Sequence, residues 1–397
     1  MTRNILAINA GSSSLKFALF SGHAPRGLAA KVRGWLERNG HDMRLCVVDA
    51  RGETIVDEAL EGGKELHQQA LPMIFERVDR LIDGRCDAVG HRIVHGGRRF
   101  SASVRIDASV LAALEELTPL APLHQPDNLA PIRALIAIDP DVPQVACFDT
   151  AFHWSQPDAA QRFALPRELF ELGIRRYGFH GLSYEYIASV LPSILNQRAV
   201  PRRVVIAHLG NGASLCALLE GKSAATTMSF TPLDGIPTGT RCGNIDPGVL
   251  IYLMTELDMD VSQVADLLYH RSGLLGLSGI SHDVRELLVS DDPRASHALE
   301  ILVYWIGREL GSMAAALGGL DMLVFTGGIG EHAALVRARV CRQANWLGVR
   351  LDEAANARGG PRISTEDSPA PVWVIATDEE QMIAEHTDAL VSGEESS

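Results

Sequence analysis

Four polar residues in this chain sit where a backbone turns or a strand ends, which is where side chains can do chemistry. Arg92 lies in Gly90-His-Arg-Ile-Val-His-Gly-Gly97, and Arg241 in Gly239-Thr-Arg-Cys-Gly243. Arginine suits bidentate contact with a carboxylate or a phosphate, though either residue alone suits a surface ion pair equally well. His180, in Tyr177-Gly-Phe-His-Gly181, is flanked by glycine rather than by an apolar face, which puts a polar task on a level with a core position. Asp149 ends the apolar run from Val142 to Phe148, the place where α/β proteins put functional carboxylates. Its alternative is helix capping, since Thr150 follows.

The stretch Asn4–Phe20 organises the rest. Ile5 to Ile8 reads as a buried strand, Asn9-Ala-Gly-Ser-Ser-Ser14 as a turn of small residues, and Leu15 to Phe20 as a returning strand. Small residues let a backbone approach an anion and donate N–H and hydroxyl groups to it. Lys16 adds a point charge, and Asn9 a neutral oxygen for a metal. The strand–turn–strand order is not that of a Walker loop, and an ordinary Ser/Gly hairpin would read the same way. Glu220-Gly-Lys-Ser223 ends like a Walker loop, but the first glycine of that pattern would fall at Cys216. Gly327-Gly-Ile-Gly330 lacks the third glycine of a dinucleotide fingerprint, yet as a helix start it can present N–H groups to phosphate. His91 and His95 are spaced as in a zinc protease, but Arg92 stands where the glutamate should be, and residues four apart on a strand cannot chelate one ion.

The elements that must position these residues follow from periodicity. Residues 28–60 alternate and suggest two or three further strands. Residues 64–82, 107–117 and 127–137 read as helices, with strands before Gly96 and before Asp149. The order then recurs. Arg203 to Leu218 repeats the opening strand, small-residue turn and returning strand, with His208 standing for Asn9 about half the chain away. Helical spacing fills 248–256, 261–269, 283–289 and 295–317, and Asp321 to Glu331 mirrors the strand that runs into Gly96-Gly97. Two matched pairs in the same order suggest a duplicated α/β domain with a cleft between the halves. Residues 352–368 are polar and suggest a surface connection; Val372 to Ala376 is a strand, Asp378 opens a final helix, and 392–397 reads as a frayed tail.

Composition sets bounds. The chain has 397 residues and a formal net charge of −13. That length predicts two or three domains, and that charge disfavours nucleic acid as a partner. Six scattered cysteines without a C-x-x-C pair suggest neither a disulfide framework nor a zinc site, and fit a reducing compartment. Neither a secretory leader nor a long apolar run is apparent, so the expectation is a soluble cytoplasmic protein with no membrane association.

Taken together, ten segments resemble one family. They are Asn9–Lys16, Gly90–Gly97, Ala121–His124, Phe148–His153, Arg176–Gly181, His208–Ser214, Thr231–Leu233, Gly239–Arg241, Leu277–Ser281 and Phe325–Glu331, in family order over nearly the whole chain. The chain resembles the acetate kinases, in the acetokinase family of the sugar kinase/actin/Hsp70 superfamily. The resemblance implies a duplicated ribonuclease-H-like fold of the actin-like ATPase kind, with an interdomain active-site cleft. Domains are expected at 1–150, joined by a C-terminal helix 384–397, and at 151–383. It implies reversible, direct in-line transfer of the ATP γ-phosphoryl to acetate, giving acetyl phosphate and ADP, with Mg²⁺ (Mn²⁺ as an alternative) and a homodimer.

Carried over by position, Arg92, Asp149, His180 and Arg241 resemble the catalytic set. Asn9 and Glu379 resemble the metal site. Ser12, Ser14 and Lys16 resemble one phosphate loop, and His208, Leu209, Gly210, Asn211 and Gly212 the other. Asp283, Val284 and Arg285, with Gly328, Ile329, Gly330, Glu331 and His332, resemble the adenosine and phosphate pocket. Val94, Leu123, Phe179 and Pro232 resemble the small apolar pocket for the substrate methyl group. The chain departs from the family pattern at Ala225–Ser229, Asn244, Gln125 and His332, none of them a catalytic position. Two readings stay beside this one: a propionate or butyrate kinase on the same scaffold, and an ATP-binding regulator that transfers no phosphate.

Overall fold

The structure, a computed structural model, describes residues 2–11, 14–23, 27–39, 42–60, 66–81, 85–196 and 200–393. The chain divides into two compact units. One comprises Met1–Phe152, Gly181–Tyr186 and Asp378–Ser397; the other comprises His153–His180 and Ile187–Thr377.

The first unit is built on an eight-stranded sheet. Its strands are β1 (Arg3–Ala10), β2 (Ser14–Gly22), β3 (Ala29–Asn39), β4 (Asp42–Asp49), β5 (Thr54–Leu60), β6 (Ala88–Ile93), β7 (Val104–Arg105) and β8 (Gln144–Phe148), in the spatial order β5-β4-β3-β2-β1-β6-β8-β7. The first five form an antiparallel meander, so three strands, the larger of the two numbers expected within 28–60, are present. β6 runs parallel to β1 with Ile8 opposite His91, and β8 runs parallel to β6 with Arg92 opposite Cys147. Period-two alternation sends Leu6, Ile8 and Ala10 to one face and Ile5 and Ala7 to the other. The first face is covered by helix Leu66–Leu81, through Leu71, Ile74 and Val78, and by Leu135 of helix Gln125–Ile138. The second is covered by Met382, Ile383 and Ala384 of helix Glu379–Val391. Central strands covered on both faces must be apolar along their middles, which is why Ile5–Ile8 of β1 and Val145–Phe148 of β8 read as hydrophobic runs.

The second unit has a five-stranded sheet made of β9 (Arg203–Leu209), β10 (Ala213–Leu219), β11 (Lys222–Thr226), β12 (Met322–Thr326) and β13 (Val372–Val374), in the order β11-β10-β9-β12-β13. β9, β10 and β11 are antiparallel neighbours, β12 is parallel to β9, and β13 is parallel to β12. This repeats β3-β2-β1-β6-β8 of the first unit strand for strand, and the fold is a duplication. Val205, Ala207 and Leu209 pack against helix Pro293–Leu317, whose Leu299, Leu302, Val303 and Ile306 form its buried stripe. Asp292 caps that helix by accepting from the Arg294 amide at 2.9 Å, and Gly318 ends it in the left-handed conformation.

Two stretches differ from the sequence expectation. Residues 352–368 are more than a surface connection. They contain helix Glu353–Ala357 and bury Asn356, Ile363 and Ser364 against the second unit. Helix Gly181–Ile194, which pattern reading did not find, is apolar on several sides. Gly221 forms the turn between β10 and β11, which accounts for the Walker-like residues Gly-Lys-Ser.

Candidate active site

In the first unit, three parallel neighbours bring their C-terminal ends side by side. β1 delivers Asn9, β6 delivers Arg92, and Asp149 follows β8 directly. The Arg92 guanidinium donates from Nε to both Asp149 oxygens at 3.0 and 3.1 Å, from Nη2 to Oδ2 at 2.6 Å, and from Nη1 to Asn9 Oδ1 at 3.0 Å. The Asn9 amide nitrogen then donates to Glu379 at 2.9 Å and to Glu380 at 3.0 Å. Those two carboxylates open helix Glu379–Val391, the helix laid over β1, β6 and β8. The result is a continuous polar chain, Asp149–Arg92–Asn9–Glu379/Glu380, running across three strand ends and one helix start.

The electrostatics follow from burial. Desolvation alone would weaken the charge on Arg92, but Asp149 and Glu379 outweigh it and hold the guanidinium above its ordinary pKa. Burial pushes Asp149, 1% exposed, upward, and the Arg92 charge on both its oxygens pulls it back. Glu380 is raised by burial and then by its like-charged neighbour Glu379, with Asn9 and Lys16 opposing. Two crowded carboxylates of this kind are hard oxygen donors that suit a divalent cation such as Mg²⁺. Among the described residues, no group of three or more His, Cys, Asp or Glu is placed to hold a metal. Asn9 was expected to offer its oxygen to a metal. Here that oxygen faces Arg92, which can only donate, and its nitrogen faces carboxylates, which can only accept. Asn9 therefore links Arg92 to the carboxylate pair, and Glu380, which sequence reasoning passed over, belongs with Glu379.

Lys16 is exposed on β2, opposite Asn9 in the register. Ser12 lies outside the described residues, and Ser14 is placed only as the first residue of β2. Val94 is buried, its amide held by Asn128 Oδ1 at 2.8 Å, while Leu123 is 41% exposed.

In the second unit, His208 is the next-to-last residue of β9, beside the hairpin Gly210–Gly212. Gly210 N–H closes that hairpin on the Gly212 carbonyl at 3.0 Å. His180 stacks on His208 with ring centroids 4.4 Å apart, and its Nδ1 lies 2.8 Å from Ser214 Oγ. A Cβ added at Gly212 would stand 3.0 Å from His180 Nε2 and 3.9 Å from Arg241 Nη1, so both predicted catalytic side chains converge on this glycine. Arg241 also donates to the Pro232 carbonyl at 3.4 Å. His180 itself adopts the left-handed conformation, φ 59°, at the start of helix Gly181–Ile194. Phe179 and Pro232 are both buried.

The proposed adenosine residues occupy the same unit. Asp283 caps helix Val284–Val289 and is bound in a fork by the exposed Arg285, which holds its carboxyl below the ordinary range. Val284 is buried in the core. Helix Gly327–His332 begins where β12 ends, and Thr326 of β12 lies opposite His208. Gly327 has φ 76°, and a Cβ there would meet the Leu209 carbonyl at 2.8 Å, so only glycine brings this turn so close to β9. Gly328 faces open space, and Ile329 packs against the core. The Glu331 carboxylate accepts from Gly327 N–H at 3.0 Å, and His332 is exposed.

The acetokinase family model matches residues 4–385 of the chain. Over 397 aligned residues the chain is 53% identical to an acetate kinase of Rhodopseudomonas palustris (strain ATCC BAA-98 / CGA009), covering 99% of this chain and 100% of that protein. A propionate kinase from Francisella tularensis subsp. tularensis SCHU S4 superposes with a TM-score of 0.88 at 37% identity, covering 97% of this chain and 99% of that one. Porphyromonas gingivalis acetate kinase gives 0.85 at 38% identity, over 98% of this chain and 100% of that one.

Proposed function

The chain belongs to the acetokinase family, and from that premise we propose that it transfers the γ-phosphoryl group of ATP to acetate, reversibly, giving acetyl phosphate and ADP. The observation that carries the mechanism is the fixed guanidinium of Arg92, held by Asp149 on one side and Asn9 on the other. Phosphoryl transfer needs alignment and charge stabilisation more than covalent help. A carboxylate acceptor is already ionised near neutral pH, its reference pKa being about 4, so no strong base is required. Arg92 and Arg241 hold the acceptor carboxylate and the migrating phosphoryl group, and His180 donates to its oxygens. Both Asp149 oxygens accept from Arg92, which supports a role in orienting that arginine rather than in accepting a proton.

The loops around Lys16 and His208–Gly212, together with Asp283–Arg285 and Gly328–His332, take the nucleotide. Mg²⁺, or Mn²⁺ in its place, would be held by Glu379 with Glu380 beside it, and would offset charge on the β- and γ-phosphates. Val94, Leu123, Phe179 and Pro232 are the residues assigned to the methyl group in this reading. The narrowness implied by Val94 favours acetate. One methylene is worth only about 1–3 kcal/mol, so propionate remains a substrate, though a poorer one.

The enzyme is taken to be a cytoplasmic homodimer that binds neither nucleic acid nor membrane. Its net charge of −13 disfavours nucleic acid, and its cysteines, free among the described residues, fit a reducing compartment. Helix Pro247–Thr255, which carries Val249, Ile251, Tyr252 and Met254 and buries none of its residues, supports self-association. Hydroxamate formation from acetate, propionate and butyrate with ATP tests the reaction, and sedimentation of the same preparation tests the dimer. Acetate should give the highest kcat/KM. Nucleotide binding with no acyl phosphate from any acid would favour the non-catalytic regulator instead.

A further inference from the structure

Among the described residues, Arg337 is the largest side chain that the fold buries completely, at 1% exposure. Its guanidinium donates to four neutral oxygens. Nη1 reaches the carbonyls of Gly330 at 2.9 Å and Glu331 at 2.7 Å, Nε reaches Asn356 Oδ1 at 2.8 Å, and Nη2 reaches the Asn356 carbonyl at 2.8 Å. No carboxylate of the described residues lies within ion-pairing distance of it. A buried cation without a counter-charge opposes folding, and an apolar side chain of similar volume would fill the space at less cost. The four bonds must therefore fix something that an apolar filler would leave loose.

What they fix is the glycine turn after β12. Gly330 and Glu331 supply carbonyls from the last turn of helix Gly327–His332, where carbonyls lack partners further along the helix. At the other end of that helix, Gly327 N–H is held by the Glu331 carboxylate, and Gly327 itself is pressed against the Leu209 carbonyl. These contacts brace the turn from behind, while Gly328 faces open space. On its far side Arg337 is anchored by Asn356, whose own Nδ2 donates to the Ala334 carbonyl at 2.9 Å. Asn356 comes from the short helix Glu353–Ala357, so a distant part of the chain is tied to this one turn.

We propose that Arg337 is a positioning residue for the nucleotide, holding the Gly328–Glu331 backbone in the one shape that its open face presents to ADP and ATP. The proposal rests on the reading of that turn as part of the nucleotide site. The competing account is that Arg337 only joins two helices, in which case its loss lowers stability and leaves nucleotide affinity alone.

Calorimetric titration of the full chain with ADP, alongside KM values for ATP and acetate, separates the two. Arg337→Met should weaken ADP binding and raise the ATP KM by about tenfold or more while the acetate KM stays within about twofold. Arg337→Lys, which keeps the charge but not the fork, should fall in between. Asn356→Ala, which removes only the far anchor, should weaken ADP binding by about threefold. Should Arg337→Met fail to fold, the lysine and Asn356 variants decide between the two accounts. Wild-type ADP affinity in folded Arg337→Lys and Asn356→Ala, or equal losses for ATP and acetate, would overturn the proposal. A wild-type chain that binds ADP without making acyl phosphate would overturn the catalytic reading alone, because the affinity comparison is read directly. A wild-type chain that binds no ADP would overturn both.

Discussion

Arg92 shows how much work a single side chain can be assigned. It is one guanidinium with its donors spread over Asp149 and Asn9, so its direction is set before any ligand arrives. Lysine at this position would keep the charge and lose the fork. Both Arg92→Lys and Arg92→Ala should therefore cut kcat/KM, the alanine variant by about 3–4 kcal/mol of transition-state stabilisation, with Arg241→Ala alike. Steady-state rates, checked against circular dichroism for intact folding, read this; wild-type turnover of either alanine variant would contradict it. Arg92 and Asp149 were legible in the sequence because a glycine-bounded strand and a strand end are local features. Glu380 was not, because nothing local separates it from Glu379 at the head of a helix, and only the Asn9 amide shows that both face the same partner. Arg337 and Asn356 were illegible for a related reason. A buried arginine in a helix that is polar on average looks like a surface residue until its four neutral acceptors are seen.

At the scale of elements, the two hairpins were readable and the connections were not. β1–β2 and β9–β10 announce themselves through apolar runs broken by Gly and Ser. Residues 352–368 hide a helix and a buried asparagine behind a polar composition, since their packing depends on residues far away in the chain. The second hairpin makes a sharper prediction than its sequence could. Gly212 has φ outside the left-handed range, so alanine is permitted by its backbone, but the added methyl would sit 3.0 Å from His180 Nε2. That is closer than ordinary van der Waals contact, so either the imidazole or the hairpin must shift by a few tenths of an ångström. Misplacement on that scale should lower kcat by about tenfold in Gly212→Ala, with little change in melting temperature. Gly221→Ala, at another turn of the same sheet, is the converse case: nothing stands within 4 Å of the added atom, but the left-handed φ of 79° strains any side chain, so stability should fall while kcat holds. An unchanged kcat in Gly212→Ala would mean that His180 is not held where the reaction needs it.

The whole molecule repeats one design, a sheet whose central parallel strands are covered on both faces, and that design has an electrostatic consequence. Side chains at alternate positions of β6 must enter the core, so His91 lies between Val89 and Ile93 on an apolar face and is 1% exposed. Neither of its ring nitrogens makes a hydrogen bond. Burial lowers its pKa from 6.5 to about 4, and the side chain of Gln144, polar but outside hydrogen-bonding geometry, offsets only part of this. The unfolded chain therefore binds a proton at this residue between about pH 6.5 and 4 that the folded chain refuses. A depressed folded pKa means that the histidine's favourable contribution is whole above pH 6.5, declines as the pH drops through that window, and is gone below about 4. Other groups titrate in the same range, His95 and His153 in the same direction and the raised His386 and Glu380 with their own dependences, so the total curve does not isolate His91. A difference between two proteins does. His91→Leu deletes this one titration from a site where the ring nitrogens have no bonds to lose. Its stability relative to wild type should improve as the pH falls, by about 1.4 kcal/mol per unit and so by about 2 kcal/mol between pH 6.5 and 5. Urea unfolding of both proteins at pH 7, 6 and 5 measures that difference. A gap that stays constant over the series would mean that His91 takes up its proton in the folded chain at its ordinary pKa, and that the face of the sheet around it is open to water.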